Sequence, residues 1–437
     1  MISQNEPIIP RFRPQKRGLH PSQMASFWLR PKLRGVAYPS AALPCPCRSV
    51  PDLGTLPSTH HPIHHAELAC VSAGFRYDLL MIVQAEKQAL LIGPIELKTP
   101  FVQAALSGYS DLSMRRLARR YGAPYTLNEV VLDKLVLQPG KKRHAFLKVA
   151  AVDHPIGGQL MGAEPDVFAP AAFAMAQAGY DVIDINFGCP VRKVLGRCRG
   201  GFLLSQPDAA LEIVRRVHDA VGHTHPVTVK MRRGMDHGPE AEGNFFHILD
   251  WAFDIGVAAV IVHGRTVEQR YVGPSQWSFL AKVKRHVGDR IILGSGDLFS
   301  AEACVKMIQE TGVDGVTIAR GCIGNPWIFQ ECRALWRGED LPPPPSIEQQ
   351  RDAIETHWTD SVEAYGPLLA GKIMRKFGIK YAEHHPLSRQ VRDAFIAVKT
   401  PNEFTRVLDV WYDPAASWPP VMRREGHGDL IAAGATL

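Results

Sequence analysis

From residue 90 onward, this 437-residue chain alternates two kinds of segment: short apolar runs, and amphipathic stretches about ten to fifteen residues long. A short apolar run between turn residues is how a strand covered on both faces reads, and an amphipathic stretch after it is how a covering helix reads. Eight such runs fall at 101–106, 125–131, 158–161, 182–187, 227–231, 259–263, 291–294 and 315–319. Helical pattern lies between them at 111–120, 166–178, 207–221, 244–255, 276–286 and 300–311. Eight strand–helix units in about 240 residues are the size of a (β/α)8 barrel, so the predicted fold is α/β, a TIM barrel followed by a small all-helical C-terminal domain. A doubly wound sheet ranks second, because no Gly-x-Gly-x-x-Gly opens the first helix. Leu90–Gly93 and Ile95–Leu97 flank a Gly-Pro turn and predict a hairpin that plugs the barrel bottom.

The segments outside the barrel follow from breaks in this pattern. Residues 1–80 hold 11 of the 34 prolines and no sustained period of 3.6 or 2. They are expected to be disordered or a spurious extension, with Met81 as the working start. Cys45-Pro46-Cys47 and the histidines at 60, 61, 64 and 65 lack the paired spacing of a structural zinc site, and no metal is expected. The barrel is assigned to 88–338, and the proline run Leu341–Pro345 lies in a stiff linker at 339–346. A helical domain follows at 347–412, then an unstructured tail at 413–437.

Net charge says little about partners. The overall +7 is concentrated at the front, where residues 1–85 carry nine basic and four acidic residues, leaving 41 against 39 elsewhere. Any electrostatic footprint must therefore be local. Lys372, Arg375, Lys376 and Lys380 fall on one helix face, a candidate phosphate-binding stripe that reads equally well as a solvated charged face. Eight cysteines without metal-ligand spacing, no signal peptide and no long apolar stretch predict a soluble, reduced, cytoplasmic protein with no membrane partner.

Chemistry in such a barrel sits at the C-terminal ends of the strands, and here those ends are polar. The third run ends near Gln159, the fourth at Asn186 and Cys189, and the fifth at Lys230 and Arg232. The sixth ends at His263-Gly264-Arg265-Thr266, the seventh at Ser295-Gly296-Asp297, and the eighth at Ala319-Arg320-Gly321. Asn186-Phe187-Gly188-Cys189-Pro190 places a thiol on a constrained turn rather than in packed core, although a small buried hydrophobe is the commoner fate of a free cysteine. The glycine-bearing ends of the last two runs fit the phosphate site that barrels build there. A phosphate-bearing organic cofactor beside a thiol acid is the inference, with Lys230 and His263 placed to polarise a flavin ring.

These residues resemble the tRNA-dihydrouridine synthase family over about residues 90–410. The resemblance rests on Asp184–Pro190 with Lys193-Val194, on Val227–Arg232, on His263–Thr266 with Tyr271-Val272-Gly273, and on Gly324–Phe329. Gly108, Asp111, Asn128 and Glu129 also match. Met374–Phe377 and Thr400–Glu403 look most like the bacterial branch that carries a helical RNA-binding domain. The resemblance implies an FMN-dependent oxidoreductase that reduces the C5–C6 bond of particular tRNA uridines with NADPH, acting as a monomer. It implies Cys189 as general acid and Asn186 at the uracil edge. Ala105, Leu106, Gln159, Lys230 and His263 would contact the flavin. Ser295, Gly296, Asp297, Ala319, Arg320 and Gly321 would surround its phosphate. Arg232 and Arg265 would meet flavin or RNA, and Lys372, Arg375, Lys376 and Lys380 would meet tRNA. Two departures stand out: Ala104-Ala105-Leu106 replaces the family's Ala-Pro-Met, and Ser295 replaces an Asn. A free-pyrimidine reductase of the dihydroorotate or dihydropyrimidine dehydrogenase type is the alternative enzyme, and a non-catalytic tRNA-binding homologue the alternative class.

Overall fold

The computed structural model describes residues 89–140 and 147–423. The expectations for residues 1–80, including the Met81 start, and for residues 424–437 lie outside the described residues.

Apolar strand residues with amphipathic helices between them bury both kinds of surface when the helices cover a parallel sheet, open or closed, and here the sheet closes. The chain does so with β3 (Phe101–Gln103), β4 (Thr126–Leu127), β6 (Ile156–Met161), β7 (Val182–Phe187), β8 (Val227–Arg232), β9 (Ala259–His263), β10 (Ile292–Ser295) and β11 (Gly315–Ile318). All pair in parallel, and β11 returns to pair with β3, closing an eight-stranded barrel. The predicted 125–131 strand is broken. Its second piece, β5 (Val131–Leu132), pairs with the end of β6. Between the pieces, the buried Asn128 side chain replaces ladder bonds, accepting from Gln159 N–H at 2.9 Å and donating to Tyr180 Oη at 2.9 Å. At the opposite end, the antiparallel hairpin β1 (Leu90–Ile92) and β2 (Ile95–Leu97) packs Leu90, Ile92 and Leu97 against Val102, Tyr125, Leu127, Val182, Ile261 and Leu293. The barrel bottom is therefore a dry plug. Within it Gly157 has no substitute, because an added Cβ would lie 2.1 Å from Tyr125 Oη.

The covering helices are α1 (Leu112–Arg120), α2 (Asp133–Leu137), α3 (Pro165–Gln177), α4 (Arg192–Leu195), α5 (Pro207–Val221), α6 (Pro239–Ile255), α7 (Trp277–Val287), α8 (Ala301–Thr311) and α9 (Ile328–Arg337). Helix α6 begins five residues before the predicted 244, opened by Pro239 at its first turn, and runs through Gly243. Residues 339–346 carry no helix or strand. Four helices follow, α10 (Ile347–Tyr365), α11 (Pro367–Tyr381), α12 (Ser388–Ala397) and α13 (Pro401–Trp411). Helix α10 lies along α1, joined by Arg116–Glu363 at 3.0 Å, Arg120 with Asp360 at 2.5 Å, and Ser361 Oγ to Ser113 Oγ at 2.9 Å. Residues 413–423 have no regular structure, yet Trp418 packs beside His385 and Arg423 bonds Glu331 at 2.8 Å. No helix among the described residues is long and apolar enough to cross a membrane.

Candidate active site

Strand residues alternate in and out, so register decides which polar groups meet. Gln159 pairs with Asp184, Asn186 with Lys230, and His263 with both Arg232 and Ser295. The same inward face of these strands carries the apolar plug lower down. The barrel interior is thus apolar at the bottom and polar at the C-terminal mouth, where the candidate residues converge.

The Cys189 turn is built by its own strand. Asn186 Oδ1 accepts from the Gly188 and Cys189 N–H groups, both at 3.0 Å. Asn186 Nδ2 donates to Gln159 Oε1 at 2.7 Å, and Gln159 Nε2 donates to Asp184 at 2.6 Å. Thr228 Oγ1 donates to the other Asp184 oxygen at 2.6 Å. A continuous hydrogen-bonded chain therefore runs from the barrel centre to the thiol turn. Asp184 and Thr228 did not emerge as site residues from sequence reasoning. The available signal was a carboxylate two residues before Asn186, on the same face of an apolar strand. Burial pushes the Asp184 carboxyl up to about 6, opposed by Thr228 and Gln159 and by the Lys230 charge.

Arg232, expected at flavin or RNA, is 3% exposed and spent inside the protein. It donates to Gly188 O at 3.0 Å, Thr266 O at 2.8 Å and Arg270 O at 2.7 Å, tying the thiol turn to the loop after β9. Arg265 is likewise enclosed. It donates to Gly273 O at 2.7 Å and to the Asp297 carboxylate at 2.8 Å, which also accepts from Ser275 N–H at 2.7 Å. Tyr271 lies between Arg320, whose guanidinium is 4.6 Å from its ring, and Arg232 at 5.5 Å. Gln159 and Asn186 are similarly committed to protein partners, so their influence on a bound group runs first through the turn they hold.

The electrostatics follow from burying several cations together. Burial lowers Lys230 to about 8, with Arg232 adding and Asp184 opposing. His263 is held well below its usual value by burial and then by Arg232, Lys230, Arg265 and Arg320, so it is neutral. Burial raises the Cys189 thiol, opposed by the Val191 N–H and by Arg232. At neutral pH this is a protonated thiol, suited to giving a proton rather than attacking.

The cationic mouth fits a phosphate-bearing flavin. Arg265 Nη1 is buried without a hydrogen-bond partner, an unsatisfied donor beside Asp297 and Arg320. Ser295 is buried on β10, Gly296 and Asp297 have positive φ of 117° and 59°, and Ala319 leads into a short turn at Arg320–Cys322. Gly321 is required by packing, since a Cβ there would lie 2.0 Å from Leu298 O. The Ala105–Leu106 segment leaves β3 at the same mouth. Among the described residues, no group of three or more His, Cys, Asp or Glu side chains is arranged to hold a metal.

The helix α11 cations are divided by the fold. Lys372 and Arg375 are exposed. Lys380 pairs with Glu383 at 3.4 Å, and Lys376 turns to the barrel, donating to Gly108 O. The four residues are therefore not one solvent-facing stripe. Helix α11 packs one flank against the barrel mouth.

Comparison with known proteins fits this geometry. The family model described as dihydrouridine synthase matches residues 102–416. A probable tRNA-dihydrouridine synthase of Mycobacterium tuberculosis is 34% identical over 331 residues, covering 74% of this chain and 84% of that protein. A probable tRNA-dihydrouridine synthase of Rickettsia prowazekii is 34% identical over 71% of this chain and 93% of its own length. A tRNA-dihydrouridine synthase B of Xanthomonas axonopodis pv. citri is 31% identical over 76% of this chain and 98% of its own length.

Proposed function

We propose, from the premise that this chain belongs to the dihydrouridine synthase family, that it reduces the C5–C6 double bond of uridines in tRNA. FMN is the resident cofactor in this reading, NADPH the donor, and Cys189 the general acid. The observation that carries it is a thiol on a turn fixed by Asn186, at a mouth made cationic by Lys230 and Arg320 and by the enclosed Arg232 and Arg265 behind them.

Lys230 and neutral His263 would hold the flavin ring, with Gln159 ordering the wall behind them. Ser295, Gly296, Asp297, Ala319, Arg320 and Gly321 would enclose its phosphate end, and the Ala105–Leu106 backbone would border it. A flavin held there would supply the hydride equivalent that C6 requires. The negative charge that develops at C5 and O4 requires a proton, and Cys189 Sγ–H donates it to C5. The thiolate left behind is stabilised by the nearby Arg232 guanidinium and regains its proton from solvent. Asn186 keeps the turn fixed throughout, which is what a general acid within hydrogen-bond reach needs.

A uridine inside folded tRNA must leave its stack to reach this mouth. Exposed Lys372 and Arg375, with Lys380 beside them, are the proposed phosphate contacts that hold the RNA while the base is turned in. Position-by-position dihydrouridine mapping of tRNA, with and without the gene, tests the reading. Loss at defined positions, restored by the wild-type gene and not by Cys189→Ala, is expected. An unchanged tRNA profile in a host without a redundant synthase, with reduction of free pyrimidines by the purified protein, would replace it.

A further inference from the structure

We propose that Lys376 is a positioning residue that clamps the 104–110 loop of the barrel mouth, so that helix α11 completes the wall of the cofactor site instead of spending this cation on RNA. The inference rests on the flavin reading above and assigns the part of that site not supplied by the barrel.

The loop leaves β3 beside β11, where Ala104 N–H donates to Ile318 O at 2.9 Å. The residues that follow β11, Ala319–Gly321, belong to the proposed phosphate end, so the loop borders that region. Its internal bonds gather at its base: Leu106 N–H donates to Ser110 Oγ at 2.8 Å, and the Tyr109 and Ser110 N–H groups donate to Leu106 O at 2.9 and 3.0 Å. Ser107 and Gly108 at the tip are exposed, and Gly108 has φ of 75°. Two groups from elsewhere hold that tip. Glu129, just past β4, accepts from the Gly108 N–H. Lys376 Nζ donates to the Gly108 carbonyl. The same peptide-bearing residue is gripped from both sides.

The ammonium is also placed over Tyr109, 4.9 Å from the ring centroid, and Tyr109 meets Phe377 edge-on at 5.5 Å. Lys376 is half-buried, and its charge opposes the rise that burial imposes on the Asp111 and Glu129 carboxyls. A lysine so engaged is poorly placed to neutralise a tRNA phosphate, whereas exposed Lys372 and Arg375 on the same helix are free to do so. Domain docking does not depend on Lys376, because the α1–α10 ion pairs and the Ser113–Ser361 bond join the barrel to the helices independently. Its loss should therefore loosen the loop without detaching the domain. Small misplacements of a wall remote from the reacting atoms have large effects on binding and orientation.

The test compares full-length wild type, Lys376→Gln, Lys376→Arg, Glu129→Ala and the Lys372→Ala/Arg375→Ala double variant. FMN Kd is read by flavin fluorescence, the bound flavin by its absorption spectrum, and tRNA Kd by filter binding. Lys376→Gln should raise the FMN Kd about tenfold, equivalent to about 1.4 kcal/mol, and shift the flavin band while leaving tRNA Kd nearly unchanged. Lys376→Arg should restore most of the FMN affinity, and Glu129→Ala, which removes the acceptor of the Gly108 N–H, should raise the FMN Kd in the same way and carries the test if Lys376→Gln does not fold. The double variant should show the reverse pattern, weaker tRNA binding with a normal flavin. An unchanged FMN Kd and spectrum in both Lys376→Gln and Glu129→Ala overturns the proposal, as does a tRNA defect in Lys376→Gln matching that of the double variant. A wild-type protein that does not bind FMN overturns the functional reading first and this inference with it.

Discussion

The thiol turn at 186–190 and the loop at 104–110 leave one barrel mouth from β7 and β3, which β6 and β4 separate, yet they are held in opposite ways. The turn is fixed from within its own strand, by Asn186 accepting from two N–H groups, and is braced by Arg232 from the adjacent strand. The loop has its own bonds only at its base, and its tip depends on Glu129 from one side and Lys376 from a helix 268 residues away in sequence. The proposed proton donor is thus held by the barrel alone, while the loop across the mouth is also held by the helical domain. This difference suits a reaction whose acid must never move and whose mouth must admit a bulky substrate.

Removing the thiol is the largest break on the barrel side. Cys189→Ala should lower the single-turnover rate by about 10²–10⁴-fold, the usual worth of a general acid, with FMN and tRNA affinities close to wild type. A variant with undiminished rate would remove Cys189 from the mechanism. Asn186→Ala would make the turn resemble the loop by stripping its internal support. It orphans the Gly188 and Cys189 N–H groups and should cost about 2 kcal/mol of stability, with at least a tenfold loss of rate; thermal melts and single-turnover kinetics check both. Full activity there would show that the Arg232 brace suffices.

The cationic lining sharpens the contrast by pH. Lys230 is charged below about 8 and loses its proton as pH rises through that value. The rate should therefore fall on the alkaline side of about pH 8, and Lys230→Met should be slow throughout and lack that limb. An identical limb in Lys230→Met would assign it to another group. The smallest effect belongs to the proposed RNA contacts. Lys372→Ala and Arg375→Ala should each reduce the salt slope of tRNA binding by about one, measured by titration at several ionic strengths, with no change at the thiol.

The barrel, its plug hairpin and the position of the thiol were legible in the chain because burial has a period. Apolar runs at 182–187 and 227–231, short, β-branched and bounded by turn residues, read as covered strands, and polar residues at the ends of parallel strands gather on one side of the sheet. The break in the second strand was not legible, because it depends on Asn128 finding Gln159 and Tyr180 across the fold. Nor were the partners of the charged residues. Arg232 and Arg265 read as free cations, and the structure spends them on backbone carbonyls and Asp297.

Lys376 is the clearest case. Helical spacing alone puts it on a common face with Lys372, Arg375 and Lys380, and only docking of α11 against the barrel turns it to Gly108. By itself the sequence determined the fold class, the order of the strands and the set of residues brought to the mouth, since each depends on local pattern. Only the tertiary structure decided which of those groups face one another and which remain available, because a hydrogen bond has a direction and a length that spacing along a chain does not encode.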